Sequence, residues 1–244
     1  MSEPGAGSDA LGMSLKAEKK GDHYSLNGAK MWITNASHSD FFWVYAKTGE
    51  EKKQISTFIV EKDFPGFSVS RKLDKFGMRA SPTCELVFED CQVPLKNLVG
   101  EENSSTGHMK NNLLIERVTI SGISLGCAKA CIHYCTQYLK DRKQFGKALI
   151  EFQMIQQMLS EATAEYLAAR ALVYEAAACI DKFGLDDERS LMLGTSAKLF
   201  AAQKATKICL DGIQMLGGYG YTKEYPVERY LRDAKPVSYT HLTL

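Results

Sequence analysis

Two textures divide the chain. Up to about residue 100, short runs of alternating apolar and polar residues recur at 24–26, 31–34, 41–46, 56–60 and 84–88, and Gly21-Asp22, Asn27-Gly28 and Pro65-Gly66 punctuate them. Alternation with a period of two predicts strands with one buried face. Asn27-Gly28, lying between two such runs, predicts a hairpin turn. After Val93-Pro94 the period lengthens, and apolar residues at three- and four-residue spacing predict helices over about 105–140, 151–182 and 188–216, with a shorter one near 226–233. Gly146 and Gly184 mark the breaks. The expected fold is therefore α+β, an antiparallel, barrel-like β domain over 1–100 followed by a helical bundle over 101–235.

Composition adds limits. The chain has 244 residues, 45% hydrophobic and 24% charged, enough for two cores. A net charge of +1, with Lys and Arg interspersed among Asp and Glu, gives no field that would draw nucleic acid or an acidic membrane, so a small-molecule partner is expected. No run approaches the ~20 apolar residues of a membrane span. Seven cysteines form no C-x-x-C pair and no disulfide framework, which fits a reducing compartment. Cys127, Cys131 and Cys135 recur every four residues, a spacing shared by metal ligands and by small buried helix residues. No His or further Cys completes a recognised site, and no metal is expected.

Candidate chemistry starts at Glu116. Helical spacing from it reaches Met109, Leu113, Ile120, Ile123 and Cys127, so the stripe expected to enter a core carries one acid. A carboxylate removed from water must be paired, neutralised, or raised in pKa for use as a base. A structural ion pair with Arg117 or a distant Lys is the ordinary alternative and stays open at this level. Three further segments stand out. Residues 2–9, Ser-Glu-Pro-Gly-Ala-Gly-Ser-Asp, can present backbone N–H groups and hydroxyls to a phosphate or polar ring, or can be a plain turn. Met31-Trp32-Ile33-Thr34-Asn35 ends a strand with an aromatic that can cover a heterocycle and a hydroxyl that can bond one, or simply buries a Trp. Gln214-Met215-Leu216-Gly217-Gly218-Tyr219-Gly220-Tyr221 closes a helix on glycines that permit close backbone approach, or is an ordinary C-cap.

Together these segments resemble the acyl-CoA dehydrogenase family, nearest its isovaleryl-type members. Residues 1–9 match its first signature, and the second runs from Gln214 through Gly217-Gly218, Gly220, Glu224 and Arg229 to Asp233. Between them lie Leu26-Asn27-Gly28, Trp32-Ile33-Thr34-Asn35, Leu73-Asp74-Lys75-Phe76-Gly77-Met78-Arg79, Phe88-Glu89-Asp90-Cys91 and Asp141-Arg142-Lys143-Gln144-Phe145-Gly146.

The resemblance implies FAD as cofactor, an acyl-CoA thioester as substrate, an electron-transfer flavoprotein as electron acceptor, a homotetramer, and the mitochondrial matrix. It places Ser2, Gly7, Ser8, Trp32, Ile33 and Thr34 around the flavin, and Arg142, Phe145, Gln153, Gln214, Met215, Leu216, Gly217 and Gly218 toward the nucleotide end, whose contacts in this family come partly from a neighbouring subunit. Glu116, in Leu114-Ile115-Glu116-Arg117, matches the α-proton base of the isovaleryl- and long-chain-type members. Ser8, Leu114, Ile115 and Arg117 are the implied substrate contacts. An oxidase or monooxygenase on the same scaffold, and a fragment that folds without catalysing, are the competing readings. Leu114 stands where isovaleryl-type members carry an Asp, the 49–54 loop is shorter than theirs, and Gly107 replaces a bulkier aromatic. The family's N-terminal helical domain is expected to be missing from these residues. Residues 236–244 lack family likeness and are expected to be disordered, because Pro236 cannot donate the N–H that would extend a preceding helix.

Overall fold

The computed structural model describes residues 1–239. It divides into two compact units, one of Met1–Lys75 with Arg79–Lys110, the other of Phe76–Met78 with Asn111 onward. Each is built around its own core.

The first unit is a seven-stranded sheet of β1 (Lys16–Lys20), β2 (His23–Thr34), β3 (Phe41–Lys47), β4 (Ile55–Glu61), β5 (Phe67–Val69), β6 (Thr83–Pro94) and β7 (Leu98–Val99), in the order β5-β6-β2-β1-β3-β4-β7. The pairing is antiparallel except for one parallel contact, Lys16 with Lys47 on β1 and β3, so the sheet is mixed rather than purely antiparallel. Its buried face carries Leu15, Tyr24, Leu26, Phe58, Val60 and Phe88, with the Tyr24 and Phe58 rings edge to face at 4.9 Å.

The hairpin expected at Asn27-Gly28 is not there. The turn between β1 and β2 is Gly21-Asp22, flanked by the Lys20–His23 pair, with Gly21 at φ 61°. Asn27 and Gly28 instead form a break in register within β2. Asn27 Oδ1 accepts from Asp90 N at 2.9 Å and its Nδ2 donates to Asp90 Oδ1 at 3.0 Å, while Gly28, at φ 138°, lies so close to Leu15 that a Cβ would meet its Cα at 3.1 Å. The dipeptide that turns a hairpin elsewhere serves here to bend a long strand.

The helices are α1 (Ser105–Asp141), α2 (Gln153–Phe183), α3 (Glu188–Leu216) and α4 (Val227–Tyr239), with a small ribbon of β8 (Lys143–Gln144) and β9 (Lys147–Ala148) after α1. The first residues of α1 belong to the first unit, where Ser105 Oγ and Thr57 Oγ1 lie 2.7 Å apart. In the second unit the buried line of α1 is Leu114, Arg117, Ser121, Ser124, Ala128, Cys131, Cys135 and Leu139. This corrects the stripe expected from hydrophobicity, in which Glu116 and Ile123 were core positions; both are exposed. The cause is close helix packing. A Cβ on Gly194 would stand 2.5 Å from Leu114 Cδ1, and one on Gly212 would stand 2.3 Å from Cys131 Sγ, so α3 presses its glycines onto Leu114 and Cys131 of α1. The cysteine repeat belongs to that contact. Cys131 and Cys135 Sγ lie 3.9 Å apart, and a hydrogen bond from Cys131 together with burial pushes the Cys135 thiol up, away from thiolate chemistry.

Phe76–Met78 docks on α4: Met78 N donates to Asp233 Oδ1 at 2.7 Å and Arg232 Nη1 donates to Phe76 O at 2.9 Å. A Cβ at Gly77 would meet Arg232 O at 2.0 Å, so only glycine fits. The expectation for the tail is corrected as well. Pro236 lies inside α4, which continues to Tyr239 with Ala234 and Val237 buried. Val237 gives this turn an apolar anchor, which offsets the donor that proline lacks. Residues 240–244 of the expected tail lie outside the described residues. Among the described residues no helix is long and apolar enough to cross a membrane, and no group of three or more His, Cys, Asp or Glu is arranged for a metal ion.

Candidate functional site

In the first unit, residues 2–9 fold as a tight loop, with Glu3 N donating to Ala6 O at 2.9 Å and Ala6 N returning to Glu3 O at 3.2 Å. Asp9 ends it by capping the 3-10 turn Ala10–Gly12 through Gly12 N, 3.1 Å from Oδ1. The loop is fastened beside the end of β2, where Met31 N donates to Ser2 O at 2.9 Å. Ser2 is half-buried, while Gly7 and Ser8 are exposed. At the next residue β2 departs from regular geometry. Trp32 is held at φ 66° inside a register shift between Lys30 and Ile33, and its side chain is 60% exposed. An aromatic residue in the left-handed region costs free energy, and a Trp in water contributes little packing in return. The strand thus holds a flat aromatic outward, against its local preference. Ile33 packs on the core, Thr34 is exposed, and both line a hollow of about 180 Å³ with Lys30, Phe41 and Trp43.

The support beneath this arrangement was not singled out from sequence. Glu3 and Lys30 are both buried, with Lys30 Nζ 2.8 Å from Glu3 Oε1. Leu15 N also donates to Oε1, at 3.0 Å, and Ser14 donates to Oε2 through N at 2.5 Å and Oγ at 2.7 Å. Burial alone would raise the Glu3 carboxyl; the Lys30 hydrogen bond, the Ser14 N–H and the lysine charge outweigh it and hold the group below its ordinary value. The available signal was parity, since Lys30 shares the inward phase of Tyr24 and Leu26 on β2.

In the second unit, one turn of α1 splits its residues cleanly. Leu114 packs against Gly194 and Arg117 is buried with Nη1 3.4 Å from Thr195 Oγ1, whereas Ile115 and Glu116 face outward. Burial pulls the Arg117 guanidinium down and the Glu116 charge pulls it back up. Leu114 therefore serves the core, and Glu116 is the carboxylate this turn exposes.

At the far end of α1, Arg142 lies 5.6 Å over the Tyr219 ring and lines an open hollow of about 380 Å³ with Tyr134, Gln137, Tyr138 and Asp141. Tyr138, Tyr219 and Tyr225 brace one another edge to face or tilted. Phe145, at φ 51° and 93% exposed, tops the β8–β9 ribbon, its ring 6.2 Å from that of Phe152. Gln153 and Gln214 are exposed, but Met215 and Leu216 are core residues, which removes their side chains from any binding set. What that segment offers is backbone. Gly217, at φ 62°, caps α3, and Gly220 is required because a Cβ would meet Ile213 O at 2.4 Å. Gly7 and Gly218 differ: neither has positive φ, and a Cβ on either would meet nothing within 4 Å. The chain does not demand glycine there.

Residues 1–91 match the acyl-CoA dehydrogenase middle domain and residues 106–240 match the acyl-CoA dehydrogenase C-terminal domain. The mitochondrial isovaleryl-CoA dehydrogenase of Pongo abelii is 44% identical over 239 residues, covering 96% of this chain and 56% of that protein. The butyryl-CoA dehydrogenase structure from Megasphaera elsdenii superposes with a TM-score of 0.90 at 39% identity, over 97% of this chain and 61% of its own. The FAD complex of PigA superposes at 0.90 with 30% identity, over 97% and 61%. The chain spans just over half the length of the curated relatives it matches.

Proposed function

The chain belongs to the acyl-CoA dehydrogenase family, whose members are FAD enzymes, and from that premise we propose that it takes part in the α,β-dehydrogenation of a short, branched acyl-CoA thioester, with Glu116 as the base for the α-proton. The observation that carries this reading is the split on α1: Arg117 turns into the core and Glu116 is left outward, at the position that serves as base in the isovaleryl-type members.

Bound flavin supplies the two-electron acceptor for the β-hydride. The chain's own residues do the rest. Glu116 accepts the α-proton, and removal of that proton together with the hydride avoids a free carbanion. Trp32 offers a face for the ring system, Thr34 a hydroxyl for its polar edge, and Ser2, Gly7 and Ser8 the loop backbone around it. Arg142, set by Tyr219, and the open backbone at Gly217-Gly218 suit the anionic, nucleotide end of a flavin, which in this family is held partly by a neighbouring subunit, with Phe145, Gln153 and Gln214 as exposed neighbours. Ile115, exposed beside Glu116, is the apolar contact for the acyl chain, and Ser8 is the polar contact on the loop. An electron-transfer flavoprotein as acceptor, a tetrameric assembly and a matrix location complete the proposal, supported by the family and by relatives named mitochondrial.

The test is Glu116→Gln, which keeps shape and removes the base. Enoyl-CoA formation should fall by several orders of magnitude while flavin and acyl-CoA binding persist. A fall of less than about tenfold, under ~1.4 kcal/mol of barrier, would assign the base elsewhere.

A further inference from the structure

The feature that the proposed chemistry leaves unused is the buried Glu3–Lys30 pair. A buried ion pair is a poor way to gain stability, because apolar side chains of the same volume do as well or better. What such a pair supplies is direction, since every hydrogen bond it makes fixes one backbone or side-chain atom against another. Here those bonds all converge on one junction. Lys30 Nζ donates to Glu3 Oε1 at 2.8 Å and to Met1 O at 3.2 Å, so it grips residues on both sides of Ser2. Met31, the next residue along β2, donates its N–H to Ser2 O. From the other side, Glu3 takes the N–H groups of Ser14 and Leu15, which lead from the Ala10–Gly12 turn into β1. The residue after Met31 is Trp32, in left-handed geometry within the register shift. A strained residue persists only where its surroundings over-determine it, and the bonds of Lys30 and Met31 are the ones that do so here.

We propose that Glu3 and Lys30 are a positioning pair: without touching the cofactor, they fix the distance between the loop carrying Ser2, Gly7 and Ser8 and the strand end carrying Trp32, Ile33 and Thr34. The proposal rests on the flavin reading of those residues. It deepens that reading by making the first signature's acid a lock for the loop rather than a ligand contact.

The test uses the full chain with FAD and compares the wild type with Lys30→Met and with the Glu3→Gln/Lys30→Met double variant. The double variant removes both charges at nearly constant volume, so it keeps a folded protein available if the single one collapses. FAD affinity should fall at least about tenfold in the double variant, ~1.4 kcal/mol of binding free energy. The resolved fine structure of the bound flavin's visible band should blur. Amide exchange at Ser14, Leu15 and Met31 should accelerate at least about tenfold while the β3–β4 ladder stays protected, a pattern that general destabilisation would not produce. A folded double variant with wild-type affinity, spectrum and exchange would overturn the positioning role. A wild type that retains no flavin would overturn the flavin reading instead, and the exchange pattern would then decide the lock by itself.

Discussion

Two carboxylates show how differently the same group behaves. Glu3 is surrounded by donors and Glu116 by solvent. Because Glu3 is held below its ordinary pKa, its contribution to stability is complete above the unfolded value near 4.3 and is lost as pH falls through the lower folded one. Unfolding free energy measured against pH should therefore show wild type and Glu3→Gln converging in acid; parallel curves down to the acid limit would refute the assignment. Trp32, mostly in water, has little packing to lose, so Trp32→Ala should reduce flavin content in a protein that unfolds like the wild type. Unchanged flavin content would remove Trp32 from the site. The sequence pointed to Glu116 by an argument that the structure does not support, since the residue is not on the buried stripe. Hydrophobicity favours Ile120 and Ile123, whereas close helix contact buries Ser121, Ser124 and Ala128. Family position, not burial, is what still recommends it.

The elements were legible wherever one period persisted. The three long helices lie within a few residues of their expected bounds, because glycine breaks and long apolar periodicity are local signals. Asn27-Gly28 misled because its meaning is set by Asp90 and Leu15, more than sixty residues ahead and a dozen behind. The same non-local rule governs the α1–α3 contact. With Cys131 Sγ already inside the space of a Cβ at position 212, Gly212→Ala should cost about 1–3 kcal/mol, the usual penalty for overpacking. Chemical denaturation reads this directly, and a neutral substitution would mean that the helices are not in such close contact.

At the scale of the whole molecule, each unit closes its own core, and the candidate residues are distributed over both. The tail shows where sequence composition fails: Pro236 and a polar flank looked like an end, but a single apolar residue, Val237, keeps the helix anchored. Truncation after Lys235 should accordingly lower stability by about 1.5–3 kcal/mol, the value of burying one such side chain, where an unstructured tail would cost nothing. Thermal unfolding of the two lengths separates these outcomes. The proposed passage of a hydride from an acyl-CoA to flavin is tested by loading the purified protein with FAD and mixing it anaerobically with isovaleryl-CoA while following the visible flavin band. The band should bleach in the wild type and persist in Glu116→Gln; a wild-type band that no short acyl-CoA bleaches, or equal bleaching in both proteins, would rule the proposal out.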